Sequence, residues 1–191
     1  IDTMLNLAKK EKPLSFTDIV FTIAPRINAA GRIDDAKKAV RLLTSKDEQE
    51  VRTIAQTIHD YNEERRALDK NITEEALAAI EADSNFEQKC TTVVYDADWH
   101  KGVIGIVASR LIEKHYRPTI VLTQSEDGET WTGSARSIAG VNMYDILEQC
   151  SEVIEKFGGH YFAAGLTLKG EHLPRFIELF DAEVRKIIGS E

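Results

Sequence analysis

Residues 91–115 read TTVVYDADWHKGVIGIVASRLIEKH. The first five, Thr91 to Tyr95, are all β-branched or aromatic, the composition of a short strand. Val103, Ile106, Val107, Leu111 and Ile112 then recur at three- and four-residue intervals, the apolar face of a helix over 102–115. Strand followed by helix is the first half of a β-α-β unit, and the sequence beyond supplies the rest. A second strand is expected at 119–122, a turn at Glu126-Asp127-Gly128-Glu129, and a third strand at 130–136. A helix over 143–154 and a fourth strand at 163–168 follow. Pro174 suits the first turn of a last helix whose apolar face is Phe176, Ile177, Leu179, Phe180, Val184 and Ile187. The order β-α-β-β-α-β-α over 85–191 predicts a small α/β domain, a mixed sheet flanked by helices.

Upstream, Val51, Ile54, Ile58, Tyr61, Leu68, Ile72, Ala76 and Ile80 hold a helical period over 47–82, with no Gly or Pro between. Such a helix spans about 50 Å at 1.5 Å per residue, too long for one small core. We read it as a connector between two bodies, with a coiled-coil dimer seam as the alternative. Residues 1–43 are helical and short, the tail of a preceding domain. The chain opens at Ile1 and not at a methionine, so a fragment of a longer protein is expected.

Composition is ordinary for a globular protein: 191 residues, 42% hydrophobic and 29% charged. No apolar run has the length of a membrane span, and the first residues have no signal-peptide pattern. Cys90 and Cys150 form no framework, which suits a reduced, cytoplasmic setting. The net charge of −8 argues against nucleic acid as a partner when taken alone. It is unevenly spread. Residues 46–83 carry eleven acidic against five basic side chains, whereas 24–41 carry five basic against two acidic. A local basic surface is therefore compatible with an acidic chain.

Four segments concentrate chemistry. In Pro25-Arg26-Ile27-Asn28-Ala29-Ala30-Gly31-Arg32, Arg26, Asn28 and Arg32 offer donors for phosphate oxygens, and Gly31 permits close approach or a positive φ. The alternative is a helix-to-helix turn whose arginines cap carbonyls and pair with Asp34 or Asp35. In 95–105, His100 and Gly102 lie where a strand gives way to a helix N-terminus, a position that suits anions. Asp96, Asp98 and His100 suggest a metal only weakly, since no other ligand cluster accompanies them and the five histidines lack ligand spacing. In Gly133-Ser134-Ala135-Arg136-Ser137, alternation puts Ser134 and Arg136 on one strand face, a phosphate clamp or merely an exposed polar face. In Phe157-Gly158-Gly159-His160, paired glycines offer a nest of amides beside an imidazole, or else a tight turn.

Together PRINAAGR (25–32), WHKGVIGIVASRL (99–111), GSARS (133–137) and FGGHYFAAGL (157–166) resemble the RecJ branch of the DHH phosphoesterase family. The resemblance covers nearly the whole chain. It implies a 5′-to-3′ single-stranded DNA exonuclease of repair and recombination as the parent, with residues 1–46 as the tail of its catalytic DHH domain. On the same footing, 47–84 is the connecting helix and 85–191 the DHH-associated substrate-binding domain. The implied partner is single-stranded DNA, with no membrane. The implied cofactors are Mn²⁺ or Mg²⁺, bound by the parent's other domain and not by this chain, which has no DHH triplet. Candidate substrate contacts are Arg26, Asn28, Arg32, His100, Gly102, Ser134, Arg136, Ser137, Gly158, Gly159 and His160, with His160 also a candidate contributor to catalysis. Two other readings stand beside this one: a module acting on oligoribonucleotides or cyclic dinucleotides, and a helix-mediated dimeric interaction protein.

Overall fold

The computed structural model describes residues 1–10 and 13–189. The chain divides into two compact units, residues 1–68 and 69–191, and the division falls inside one long helix. The first unit holds α1 (Asp2–Leu7), α2 (Phe16–Asp18), α3 (Ala24–Ile33), α4 (Lys37–Thr44) and the first part of α5 (Glu48–Ala82). Ser15 starts α2 with a capping box, its hydroxyl accepting from the Asp18 amide while the Asp18 carboxylate accepts from the Ser15 amide. A wide π-type turn, Ile19–Ile23, carries α2 into α3, and Pro25 sits in the first turn of α3. The core is Met4, Leu5, Ile23, Ala30, Ala39, Leu42, Ala55 and Ile58. A Cβ on Gly31 would lie 3.3 Å from the Ala36 Cβ, so this glycine serves close packing between α3 and α4; a positive φ is not its reason.

The second unit begins with the rest of α5 and continues β1 (Thr92–Tyr95), α6 (Ile104–His115), β2 (Thr119–Gln124), β3 (Thr130–Arg136), α7 (Met143–Gln149), β4 (Lys156–Gly159), β5 (Ala163–Lys169) and α8 (Leu173–Ile188). The sheet order is β1-β2-β3-β5-β4. Only β1 and β2 run parallel, joined through α6; the other pairs are antiparallel. Strand alternation separates two faces. Ile120, Leu122, Ala135, Leu166 and Leu168 join Phe176, Phe180 and Val184 of α8 and Ile146 and Leu147 of α7 in one core. The opposite face carries Ser134 and Arg136, and there α6 packs.

The α/β class and mixed sheet are as the sequence predicts, with one strand more. β4 was not expected, because Lys156-Phe157-Gly158-Gly159 contains no β-branched residue and two glycines. The helix expected over 143–154 stops at Gln149 and gives way to a single 3₁₀ turn, Ser151–Val153. The coiled-coil alternative for α5 loses its seam within the monomer. Ala55 and Ile58 are buried in the first unit's core, and Ile72, Ala76 and Ile80 are buried in the second unit.

Candidate functional site

The site is built on the α6 face of the sheet. Ser134 pairs with Gly165 of β5 and Val121 of β2, so its side chain and that of Arg136 project to the same side. Arg136 Nη1 donates to Ser134 Oγ at 3.1 Å and to its neighbour's carbonyl, Ala135 O, at 2.8 Å. The guanidinium lies against the first turn of α6. A Cβ built on Gly105 would stand 2.9 Å from Ser134 Oγ and 3.0 Å from Arg136 Nη2. Glycine at this position is what lets the helix N-terminus, which has no side-chain cap, come so near the arginine. The result is a positive, donor-rich corner: one guanidinium, one hydroxyl and the positive end of a helix dipole.

The loop leading into α6 is fixed from several sides. Thr123 Oγ1 donates to the Trp99 carbonyl at 2.6 Å, and the buried Trp99 indole donates to Glu75 Oε2 at 2.7 Å. Farther along α6, Arg110 makes a forked pair with Asp69 at 2.7 and 2.7 Å. The Asp69 side chain is only 4% exposed. That pairing raises the Arg110 pKa, through the Asp69 hydrogen bonds first. Within this loop the Gly102 amide donates to His100 Nδ1 at 3.1 Å, and the Asp98 amide to Asp96 Oδ1 at 2.9 Å. His100 and Gly102 therefore shape the turn with each other. Among the described residues, no group of three or more His, Cys, Asp or Glu side chains is arranged to hold a metal ion.

The β4–β5 hairpin flanks β3 through β5. Gly158 faces Gly165 across the strands, and the Gly159 amide is part of a strand, so the expected glycine nest does not form. Gly159 answers a steric need instead: a Cβ there would fall 2.3 Å from the Ala163 carbonyl and 2.4 Å from the Ala164 Cα. The His160 amide closes the hairpin onto Ala163 O at 2.7 Å, leaving its ring at the exposed tip. Ala163 is the register partner of Arg136, which puts His160 at the same end of the sheet as the arginine. Ser137 is 9% exposed and donates its hydroxyl to Val141 O at 2.7 Å, so it holds the following turn.

Arg26, Asn28 and Arg32 lie in the first unit, along α3. Arg26 Nη1 donates to the Thr22 carbonyl at 2.6 Å and Nε to His59 Nδ1 at 3.3 Å, and burial lowers its pKa from the usual arginine value. The capping alternative describes this residue better than a phosphate fork does. Asn28 and Arg32 are exposed. Asp34 is engaged by Lys38 and by the Tyr61 hydroxyl, which donates to it at 2.6 Å.

Gly105 and Asp181 were not singled out from the sequence. Asp181 of α8 accepts from the Cys90 amide at 2.7 Å, the Thr91 amide at 3.0 Å and the Thr91 hydroxyl at 2.8 Å. It fastens the start of β1 across about ninety residues of chain, a pairing with no local signal.

The parallel β1–α6–β2 start, the antiparallel remainder and the Ser134–Arg136 corner all lie within a DHHA1 domain. The family model of that description matches residues 87–186, and the chain belongs to this family. Its curated relatives are RecJ proteins. The Bacillus subtilis single-stranded-DNA-specific exonuclease RecJ is 44% identical over 154 residues, covering 81% of this chain and 19% of that protein. The Escherichia coli RecJ is 36% identical over 190 residues, covering 94% of this chain and 32% of that protein. Thermus thermophilus RecJ, solved in complex with Mn²⁺, superposes with a TM-score of 0.83 at 29% identity, over 97% of this chain and 26% of that one. The chain thus spans between a fifth and a third of these relatives. No helix among the described residues is long and apolar enough to cross a membrane.

Proposed function

We propose that this chain is the strand-holding portion of a single-stranded-DNA-specific exonuclease. The observation that carries the reading is the Ser134–Arg136 corner, set against Gly105 at the start of α6. A phosphodiester there would accept from the guanidinium and the serine hydroxyl, with helix amides close by. His160, at the hairpin tip, would donate to the same or the next phosphate. The names of the relatives supply the substrate class, and the manganese- and magnesium-bound Thermus structures supply the cofactor class for the whole enzyme. The metal chemistry would belong to residues outside this chain. Degradation from the 5′ end, in repair and recombination, completes the reading through the motif resemblance.

Titration of the chain with a labelled single-stranded oligonucleotide at several salt concentrations tests this. An acidic protein with two or three phosphate contacts should bind weakly, with a log–log salt slope of about −2. Tight binding that ignores salt would favour a small-nucleotide pocket and count against a strand groove.

A further inference from the structure

At the same end of the sheet as the phosphate corner, the hairpin loop is aromatic. Tyr161 and Phe162 follow His160 in the hairpin loop and remain 40% and 57% exposed, their ring centroids 4.7 Å apart. Tyr144, 39% exposed, lies in the first turn of α7, and its ring lies 5.5 Å from that of Phe157. The loop that presents the first pair is pinned. The Met143 amide donates to Tyr161 O at 2.9 Å, the Ser137 amide to Phe162 O at 2.9 Å, and Gly159 permits no other residue at its base. The Ser137–Phe162 bond extends the β3–β5 ladder one step past Arg136–Ala163, so Phe162 lies one residue and Tyr161 two residues beyond the arginine's partner.

Large apolar rings held rigid in water are unfavourable for an isolated domain, and they mark contact surfaces. Exposed rings at the same end of the sheet as a phosphate-binding arginine have the chemistry to stack unpaired bases, which all present a π face. We infer that Tyr161 and Phe162, with Tyr144 at the margin, form a stacking step for bases of the strand whose phosphate Ser134 and Arg136 hold. The inference rests on the strand-holding reading above. It adds a sequence-tolerant, base-dependent component to a site otherwise built for the backbone, and it selects single strands because paired bases have no free face.

The test measures affinity of the full-length protein for a 5′-phosphorylated oligothymidylate and for a matched oligonucleotide with abasic sites at its 5′ end. Melting temperature is recorded for every variant. Tyr161→Ala with Phe162→Ala should weaken binding of the base-bearing strand about five- to hundredfold. It should leave affinity for the abasic strand and the melting temperature unchanged, and Tyr161→Trp should bind at least as well as wild type. Equal losses on both strands, or a fall in melting temperature, would overturn the inference by showing that the rings serve the fold or another part of the protein. Arg136→Ala is the control for the underlying reading. If it weakens both strands while the ring variants weaken neither, the groove stands and the stacking step falls. If Arg136→Ala binds both strands like wild type, the strand-holding reading fails and the stacking step fails with it.

Discussion

Gly105→Ala is the substitution that separates the site from the fold most cleanly. The new Cβ would sit 2.9 Å from Ser134 Oγ, 3.0 Å from Arg136 Nη2 and 3.6 Å from Ser134 Cβ. Carbon does not settle that near to oxygen or nitrogen, so something must move. The backbones of α6 and β3 are tied into helix and sheet, so the Ser134 hydroxyl and the end of Arg136 must yield, and their hydrogen bond at 3.1 Å goes with them. The fold loses little, because alanine is favoured over glycine in a helix by up to about 1 kcal/mol, which offsets the crowding. That amounts to a change in melting temperature of no more than about 4 °C for a chain of this size. The ligand loses a charge-assisted contact of about 1.5–3 kcal/mol, or roughly ten- to hundredfold in affinity. The assay is binding of a 5′-phosphorylated single strand, with melting curves alongside. The double variant with Arg136→Ala should be little worse than either single change, since both remove one contact. Wild-type affinity in Gly105→Ala would refute the positioning argument. A large drop in melting temperature would show that the glycine serves helix–sheet packing instead.

Three further outcomes are expected. The isolated chain with Mn²⁺ should release no mononucleotides from labelled single-stranded DNA above an inactive-preparation control, because its described side chains offer no metal-holding cluster. Asp181→Asn should destabilise the protein by about 1–3 kcal/mol, seen as a lower denaturant midpoint, because its carboxylate satisfies three donors at the start of β1. Burial alone would raise the Asp181 pKa, yet Thr91, Arg185 and the Cys90 amide outweigh it and bring it down, so the ionised form is the one built in. Asp34 is held at about 2, against an ordinary 3.8, by Lys38 first and Tyr61 second. With its folded pKa depressed, its contribution is intact above 3.8 and lost as pH falls through about 2. Asp34→Asn should flatten that acid arm in a pH titration of stability, and an unchanged arm would remove Asp34 as its source.

Most of the second unit was legible because its pattern is local. Val103, Val107 and Leu111 announce α6, and Phe176, Phe180 and Val184 announce α8, by spacing alone. β4 was not legible, since its two glycines carry no strand signal and its pairing with β5 is settled by tertiary register. The same glycines invited an anion-nest reading that the hairpin replaces. Ser134 and Arg136 could be placed on one face because strand alternation is strict, but their closeness to Gly105 is a contact between α6 and β3 that no period encodes. Arg26 looked like a phosphate ligand because arginine is versatile; the wide turn before α3 gave it a carbonyl to cap.

The central claim, that Arg136 and His160 flank a strand-holding groove, is tested most directly by single-turnover cleavage in the full-length protein. Arg136→Ala and His160→Ala would each be assayed on a 5′-phosphorylated single strand with Mn²⁺, with melting curves run on the same preparations. The account predicts a roughly ten- to hundredfold loss for Arg136→Ala, a clear loss for His160→Ala, and melting temperatures like wild type, because neither side chain belongs to the core. Wild-type turnover in both variants would contradict it.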